Sequence, residues 1–101
     1  MNTKQEGKFQ IGQVVATPGA LEALARNNAN GLGYHRQHAS GDWGVLSIED
    51  KQANEEALEN GARILSAYIL KDETKLWVIT EATVDDQGAR AFTCVLLPEE
   101  Y

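Results

Sequence analysis

The feature that most constrains the fold lies in the last third of the chain, where three short apolar runs are separated by tight turns. The runs are rich in β-branched and aromatic residues, which suit the pleated surface of a half-buried strand. They span Arg63–Leu70, Lys75–Thr83 and Ala89–Leu97, with turns at 71–74 and 85–88. Connections this short allow only antiparallel hairpins, because a parallel crossover needs about a dozen residues or more. The sequence therefore predicts a three-stranded antiparallel meander.

Alternation along these strands predicts which side chains face the core. Residues two apart on a strand point to the same face of the sheet. The inward face is predicted to include Trp77 and Ile79 together with Val95 and Leu97.

The residues upstream of the meander predict one further strand and two short helices. Phe9–Val15 alternates weakly and indicates a fourth strand of the same sheet. Thr17-Pro18 suits a helix start, because Thr can cap and Pro lacks only an N–H that has no partner there. This helix is predicted to end near Asn27-Asn28, and Tyr34–Ser40 is predicted to form a second short helix.

A third helix is predicted from Ser47 to Asn60. Ser47 and Asp50 have the spacing of a capping box, and Gly61 suits the left-handed position that follows a helix. The elements together predict one α+β domain over residues 1–101, with residues 1–7 frayed. We expect an antiparallel sheet of about four strands with two to three helices on one face.

Composition excludes several classes of protein. The 101 residues include 15 acids and 9 bases, and a net charge of −6 argues against direct binding of nucleic acid. No apolar run approaches the roughly 18–20 residues that span a bilayer, and the first residues lack the apolar segment of a signal peptide. A single cysteine, Cys94, excludes an internal disulfide. These observations predict a cytoplasmic protein without a membrane anchor.

Two-thirds of the net charge lies on the third predicted helix. Between residues 49 and 59 there are five acids and one base, a local charge of −4. Such a face is usually only solvated, and the functional alternative is a surface that imitates a phosphate backbone for a basic protein partner. The predicted partner-binding residues are Glu49, Asp50, Glu55, Glu56 and Glu59.

Trp43 stands in a predicted turn, between Gly41 and Gly44. Its indole either folds back as a plug for the core or is offered to a partner. The plug is favoured, because an exposed indole leaves a large apolar area in water. In the second case Trp43 joins the predicted partner-binding surface.

His35, His38 and Asp42 form the one cluster with metal-ligand chemistry. Two imidazoles and a carboxylate can bind a transition metal, but a structural zinc site needs four ligands, usually including cysteine. Ordinary imidazoles are therefore favoured over a metal site, and the sequence predicts neither metal nor cofactor. The cluster remains a candidate ligand-binding site, and Cys94 inside a strand is interpreted as a small apolar residue.

Three segments resemble a family of small uncharacterised bacterial proteins described as plasmid-related. They read FQIGQVVATPGALEAL, RQHASGDWG and LLPEEY, and the resemblance runs from Phe9 to Tyr101. Members are sometimes labelled as subunit M of a type I restriction endonuclease. That label implies an Asn-Pro-Pro-aromatic motif and a doubly wound sheet, whereas this chain has only Pro18 and Pro98, so the methyltransferase label is rejected. The resemblance implies cargo of a mobile element.

These observations favour a non-enzymatic binding protein carried by a phage or plasmid, such as an anti-CRISPR or anti-restriction inhibitor of host defence. The expected partner is a protein, for example a host complex that binds nucleic acid. The alternative is a small enzyme or a nucleotide-sequestering protein that uses the region His35–Trp43. The two hypotheses differ in what they require, because a binder needs a surface patch and the alternative needs a concave site.

Overall fold

A computed structural model describes residues 7–101, and within this range the chain forms an α+β fold of four strands and three helices. The predicted fold class is therefore confirmed. In chain order the elements are β1 (Gln13–Ala16), α1 (Pro18–Arg26), α2 (Gly31–Ala39), α3 (Ile48–Asn60), β2 (Ile64–Ile69), β3 (Lys75–Thr80), β4 (Phe92–Leu96) and a final 3-10 turn (Pro98–Glu100).

The sheet has the strand order β1-β4-β3-β2. β2, β3 and β4 form the predicted antiparallel meander, whereas β1 pairs with β4 in parallel. The sheet is thus mixed and not purely antiparallel. The reason is that β1 and the meander are joined through three helices, a connection long enough for either direction. β1 is also shorter than predicted, because Gly12 bends the backbone with φ +62° immediately before it.

The N-terminal ends of α1 and α3 are capped by the side chains that the sequence predicts. The Thr17 Oγ accepts a hydrogen bond from the Ala20 N–H at 3.1 Å, and the Ser47 Oγ accepts one from the Asp50 N–H at 3.1 Å. α3 ends at Gly61, which has φ +80°. α2 begins three residues earlier than predicted, because Asn30 caps it. No helix within residues 7–101 is both long and apolar enough to cross a membrane.

All three helices pack on one face of the sheet, and the predicted inward face is wrong for β3. Val78 pairs with Val95, and both lie in the core beneath α1. Trp77 and Ile79 point to the opposite face, where Ile79 is 4% exposed and Tyr101 of the C-terminal tail packs against Trp77 at a centroid distance of 5.8 Å. The main core consists of Ala20, Ala23, Leu24, Tyr68, Leu70, Leu76, Val78 and Val95.

The outer edge of β2 is closed by the segment that precedes it. The Asn54 side chain of α3 accepts from the Leu65 N–H at 3.1 Å and donates to the Leu65 C=O at 2.6 Å. The backbone around Gly44 pairs with Ala67 on the same edge. An exposed strand edge is a template for unwanted pairing, and here side chain and loop cover it.

Candidate partner-binding surface

Four of the five predicted acidic residues share one exposed side of α3, and together with Asp50 they make what we call the acidic face. It consists of Glu49, Asp50, Glu55, Glu56 and Glu59, and each of these residues is exposed. The buried residues of α3 are Asn54 and Ala57. Successive residues of an α-helix are rotated by about 100°, so four of the five carboxylates lie on the side of α3 opposite Asn54 and Ala57. Asp50 lies in the first turn.

The acidic face is not neutralised by the protein itself. Within residues 7–101 the structure contains one ion pair, Arg26 with Asp72 at 3.0 Å, and it involves none of these carboxylates. The base in this segment is Lys51, which lies on α3 itself. Uncompensated like charges raise the local potential, which attracts basic partners and speeds their association.

Trp43 folds back into the core and is not exposed for contact with a partner. Its side chain is 4% exposed and packs with Ala57 and Ile64. Its indole Nε1 donates a hydrogen bond to the Glu55 carboxylate at 2.9 Å. The preferred interpretation of Trp43 is confirmed, and the residue is removed from the predicted partner-binding surface. Its contact fixes the position of one carboxylate of the acidic face.

His38 lies at the centre of a buried chain of hydrogen bonds. Its Nδ1 is 2.6 Å from the Ser66 Oγ, and its Nε2 is 2.8 Å from the Thr80 Oγ1. The Thr80 hydroxyl is 2.6 Å from that of Thr93, which donates to the Ile11 carbonyl at 2.7 Å. His38, Ser66, Thr80 and Thr93 are each 0% exposed.

The direction of every proton in this chain follows from its last acceptor. A carbonyl can only accept, so the Thr93 hydroxyl donates to Ile11 and must accept from Thr80. Thr80 in turn accepts from His38, which places the ring proton on Nε2. Burial lowers the pKa of His38 and keeps the imidazole neutral, so the Nδ1 lone pair accepts from Ser66. Both ring nitrogens are used within the fold.

Burial and, after it, the charges of His35 and Arg90 together lower the pKa of His38 to about 3. Phe9 and Trp43 stand edge-on to the ring, at centroid distances of 5.2 and 6.1 Å. His38 is therefore a structural residue, closed to ligands and metals.

The other two members of the predicted cluster do not join His38 in one site. Asp42 is exposed and accepts a hydrogen bond from Gln37 at 2.8 Å. His35 is half-buried, its pKa is lowered by burial and then by Arg36, and its Nδ1 has no partner among the described residues. Within residues 7–101 no group of three or more His, Cys, Asp or Glu is arranged to hold a metal ion.

A cavity of about 320 Å³ lies beside this cluster, at the start of α2. Its lining is rich in amides, with one phenol and one ammonium group, and hydrogen bonds would select a small polar molecule there. The cavity takes only Tyr34 and Gln37 from the neighbourhood of the predicted cluster. The complete lining is Asn27, Asn28, Ala29, Asn30, Gly33, Tyr34, Gln37 and Lys71.

Arg90 is a buried residue that sequence reasoning missed. It is 6% exposed, and its guanidinium donates to the backbone carbonyls of Ala57 (3.2 Å), Ala62 (2.8 Å) and Glu81 (3.0 Å). Two of these carbonyls lie at the C-terminal end of α3, where a cation is favoured by the helix dipole. Arg90 therefore anchors the acidic helix to the sheet. Nothing in the sequence around it distinguishes it from an exposed arginine.

Cys94 is a half-buried thiol, and burial raises its pKa. The carboxylates of Glu100 and Glu81 raise the pKa further, so the protonated form is favoured. This environment is the opposite of the one that activates a cysteine nucleophile.

Comparisons of the chain with models of protein families, with curated proteins and with solved structures gave no match. Similarity therefore assigns no family, and a function has to be inferred from the surfaces described above.

Proposed function

We propose that this protein is a non-enzymatic binding protein that presents the acidic face of α3 to a basic protein partner. The observation that supports it is a set of five exposed carboxylates on one helix, none of which is in an ion pair within residues 7–101. Five acids and one base on this helix depart from the alternating signs that support one another along a solvent-exposed helix.

The spacing of the acidic face suits a partner that binds nucleic acid. Glu55 and Glu59 are one helical turn apart, about 6 Å along the axis, and Glu49 and Glu59 are about 15 Å apart. A row of negative charges on a rigid rod resembles a phosphate backbone, which nucleic-acid-binding proteins contact with Lys and Arg. An inhibitor of host defence carried by a mobile element would act by occupying such a basic surface.

The fold holds the acidic face rigidly, as a binding surface requires. Asn54 ties the middle of α3 to the backbone of β2, and Arg90 ties its C-terminal end. Trp43 holds the carboxylate of Glu55. Preorganisation of this kind reduces the conformational entropy that is lost on binding.

The experiment compares three forms of the protein in pull-downs from a lysate of the native host, followed by mass spectrometry. The test form carries Glu55→Gln, Glu56→Gln and Glu59→Gln together, since Gln keeps an oxygen for the Trp43 N–H. The control form neutralises three exposed acids away from α3, through Glu22→Gln, Asp86→Asn and Glu99→Gln. Both forms have the same net charge.

We expect basic nucleic-acid-binding proteins to be captured by the wild type and by the control form, and to be lost by the test form. For a captured partner, the dissociation constant of the test form should be at least tenfold higher and should depend less on ionic strength. Equal capture and equal affinity of the two triple variants would refute electrostatic mimicry.

A further inference from the structure

The cavity at the start of α2, which we call the amide cavity, takes no residue from α3 and has a volume of about 320 Å³. It is lined by the loop that follows α1, by one side of α2 and by the turn that joins β2 to β3. This volume lies at the lower end of the range for ligand pockets, roughly 300–1,000 Å³. The amide cavity therefore suits a small molecule and not a polymer.

The walls of the amide cavity are held together by contacts within the fold. The buried side chain of Asn27 donates to a backbone carbonyl of α1 at 2.8 Å and accepts from the Asp72 N–H at 2.8 Å, which ties the end of α1 to the turn after β2. Arg26 adds an ion pair with Asp72 at 3.0 Å. The Tyr34 ring packs against the ring of Tyr68 at a centroid distance of 5.3 Å. The cavity is therefore formed before any ligand arrives, as ligand sites usually are.

Several polar groups of the lining have no partner within residues 7–101. The Lys71 ammonium is in no ion pair or hydrogen bond there, and the Asn28 amide and the Tyr34 hydroxyl make no hydrogen bond. Asn30 uses only its side-chain oxygen, which accepts from the Leu32 N–H at 2.9 Å, so its amide N–H groups are free. One ammonium, two amides and one hydroxyl can therefore donate to oxygen atoms of a ligand.

The charge of the lining selects an anion that carries a single charge. Lys71 is the one charged residue that lines the cavity, and the acid that follows it in the chain, Asp72, is paired with Arg26. A carboxylate on Lys71 would accept a charge-assisted hydrogen bond, and its charge would be compensated. A phosphate monoester carries about −1.5 to −2 at pH 7 and would bring excess negative charge into a protein of net charge −6.

The uncharged part of the lining favours hydroxyl groups on the ligand over an ammonium group. No Asp or Glu of residues 7–101 lines the cavity, so an ammonium would find no carboxylate there. Gln37 donates to Asp42 at 2.8 Å, which leaves the Gln37 side-chain oxygen free to accept from a ligand hydroxyl. Amides and a phenol can both donate to hydroxyl groups and accept from them.

We propose that the amide cavity binds a small hydroxylated monocarboxylate of the sugar-acid class. Lys71 holds the carboxylate, and the uncharged polar side chains of the lining hold the hydroxyl groups. Those side chains are Asn28, Asn30, Tyr34 and Gln37. This site is separate from the acidic face and gives the protein a small-molecule ligand in addition to a protein partner.

The first test is a titration, followed by two-dimensional NMR of the backbone amides, with four linear probes that share one carbon skeleton. Gluconate carries the carboxylate, sorbitol is neutral, glucamine is a cation, and the phosphate monoester of sorbitol carries the excess charge. We expect gluconate to shift the amide signals of Asn28, Gly33 and Lys71 saturably, with a dissociation constant of about 1 mM or lower. Each of the other three probes should bind at least tenfold more weakly.

The second test uses three variants that each remove one group of the lining and leave the fold intact. Lys71→Met removes the charge of an exposed side chain, Tyr34→Phe removes only a hydroxyl, and Asn28→Gly suits the φ of +53° at that position. Lys71→Met should raise the dissociation constant of gluconate at least tenfold, and the other two should raise it about two- to tenfold each. The control Lys51→Met makes the same change on α3 and should leave the constant within about twofold of the wild type.

The absence of saturable shifts with gluconate would overturn the proposal. So would a gluconate affinity that Lys71→Met changes no more than Lys51→Met does. Equal or tighter binding of any other probe would show that the cavity does not select a single carboxylate, and would overturn the proposal as well. None of these outcomes bears on the acidic face, because the three variants of the lining leave its carboxylates unchanged and its pull-down is scored separately.

Discussion

Replacing Thr80 with Val would break the buried hydrogen-bond chain at its middle link while nearly preserving the shape of the side chain. The His38 Nε2–H would lose its acceptor at 2.8 Å, and the Thr93 hydroxyl would lose its donor at 2.6 Å. Both groups are fully buried, so water cannot replace the missing partners.

The expected cost follows from the groups left without partners. A buried donor without an acceptor costs about 1–3 kcal/mol, and the added methyl group regains up to about 0.8 kcal/mol. We therefore expect Thr80→Val to lower the free energy of unfolding by about 1–3 kcal/mol. In a domain of this size each kcal/mol lowers Tm by roughly 4–8 °C.

Urea denaturation measures the loss, with the midpoint falling at an unchanged m-value. The matched control is Thr83→Val, because the Thr83 hydroxyl is half-buried and makes no hydrogen bond to the described residues. A control effect within about 0.5 kcal/mol is expected. If Thr80→Val cost no more than Thr83→Val, the buried hydrogen bonds of Thr80 to His38 and Thr93 would contribute nothing to stability, and the reasoning would be refuted.

Two further predictions concern acid and a glycine. We expect the free energy of unfolding to fall as pH drops from 6.5 toward 3. The pKa of His38 in the folded protein is lowered to about 3, mainly by burial, so in this range the unfolded chain binds a proton at His38 that the folded chain does not bind. Between pH 6.5 and 5 the free energy of unfolding should fall by at most about 1.4 kcal/mol per pH unit. The variant His38→Gln should lose stability less steeply as the pH falls. Equal pH dependence of the variant and the wild type would contradict a lowered pKa of His38. Gly44→Ala should abolish folding, because φ is +78° and the new Cβ would lie 1.8 Å from the Ala67 carbonyl oxygen. Gly88 also has a positive φ, +86°, but an added Cβ would meet open space there. Gly88→Ala should therefore cost only about 1–2 kcal/mol in the same denaturation assay. Similar losses for the two variants would show that the backbone at Ala67 can move away from the added Cβ of Gly44→Ala.

The sequence predicted the elements whose ends carry local chemical signals. α3 begins after a Ser cap and ends at Gly61, and both signals are confirmed by the structure. The Thr17-Pro18 start of α1 is confirmed in the same way. Turns and caps involve neighbours in the chain, so their residues reveal them without knowledge of the tertiary structure.

The orientation of β3 could not be read from the sequence because the strand is apolar on both faces. Leu76 and Val78 face the helices, whereas Trp77 and Ile79 face away, and all four are strand-forming apolar residues. Size favoured Trp77 for the core, but the register with β4 places Val78 beside Val95. The usual signal is an alternation of polar and apolar residues, and it is missing in a strand that is covered on both faces.

The buried role of His38 was also beyond the reach of the sequence. Its two partners, Ser66 and Thr80, come from β2 and β3 and are 28 and 42 residues away, and Thr93 on β4 extends the chain through Thr80. One signal was present, since Ser66, Thr80 and Thr93 are hydroxyl residues at inward positions of otherwise apolar strands. Buried hydroxyls need hydrogen-bond partners, and an imidazole above the sheet is one side chain that can serve two of them.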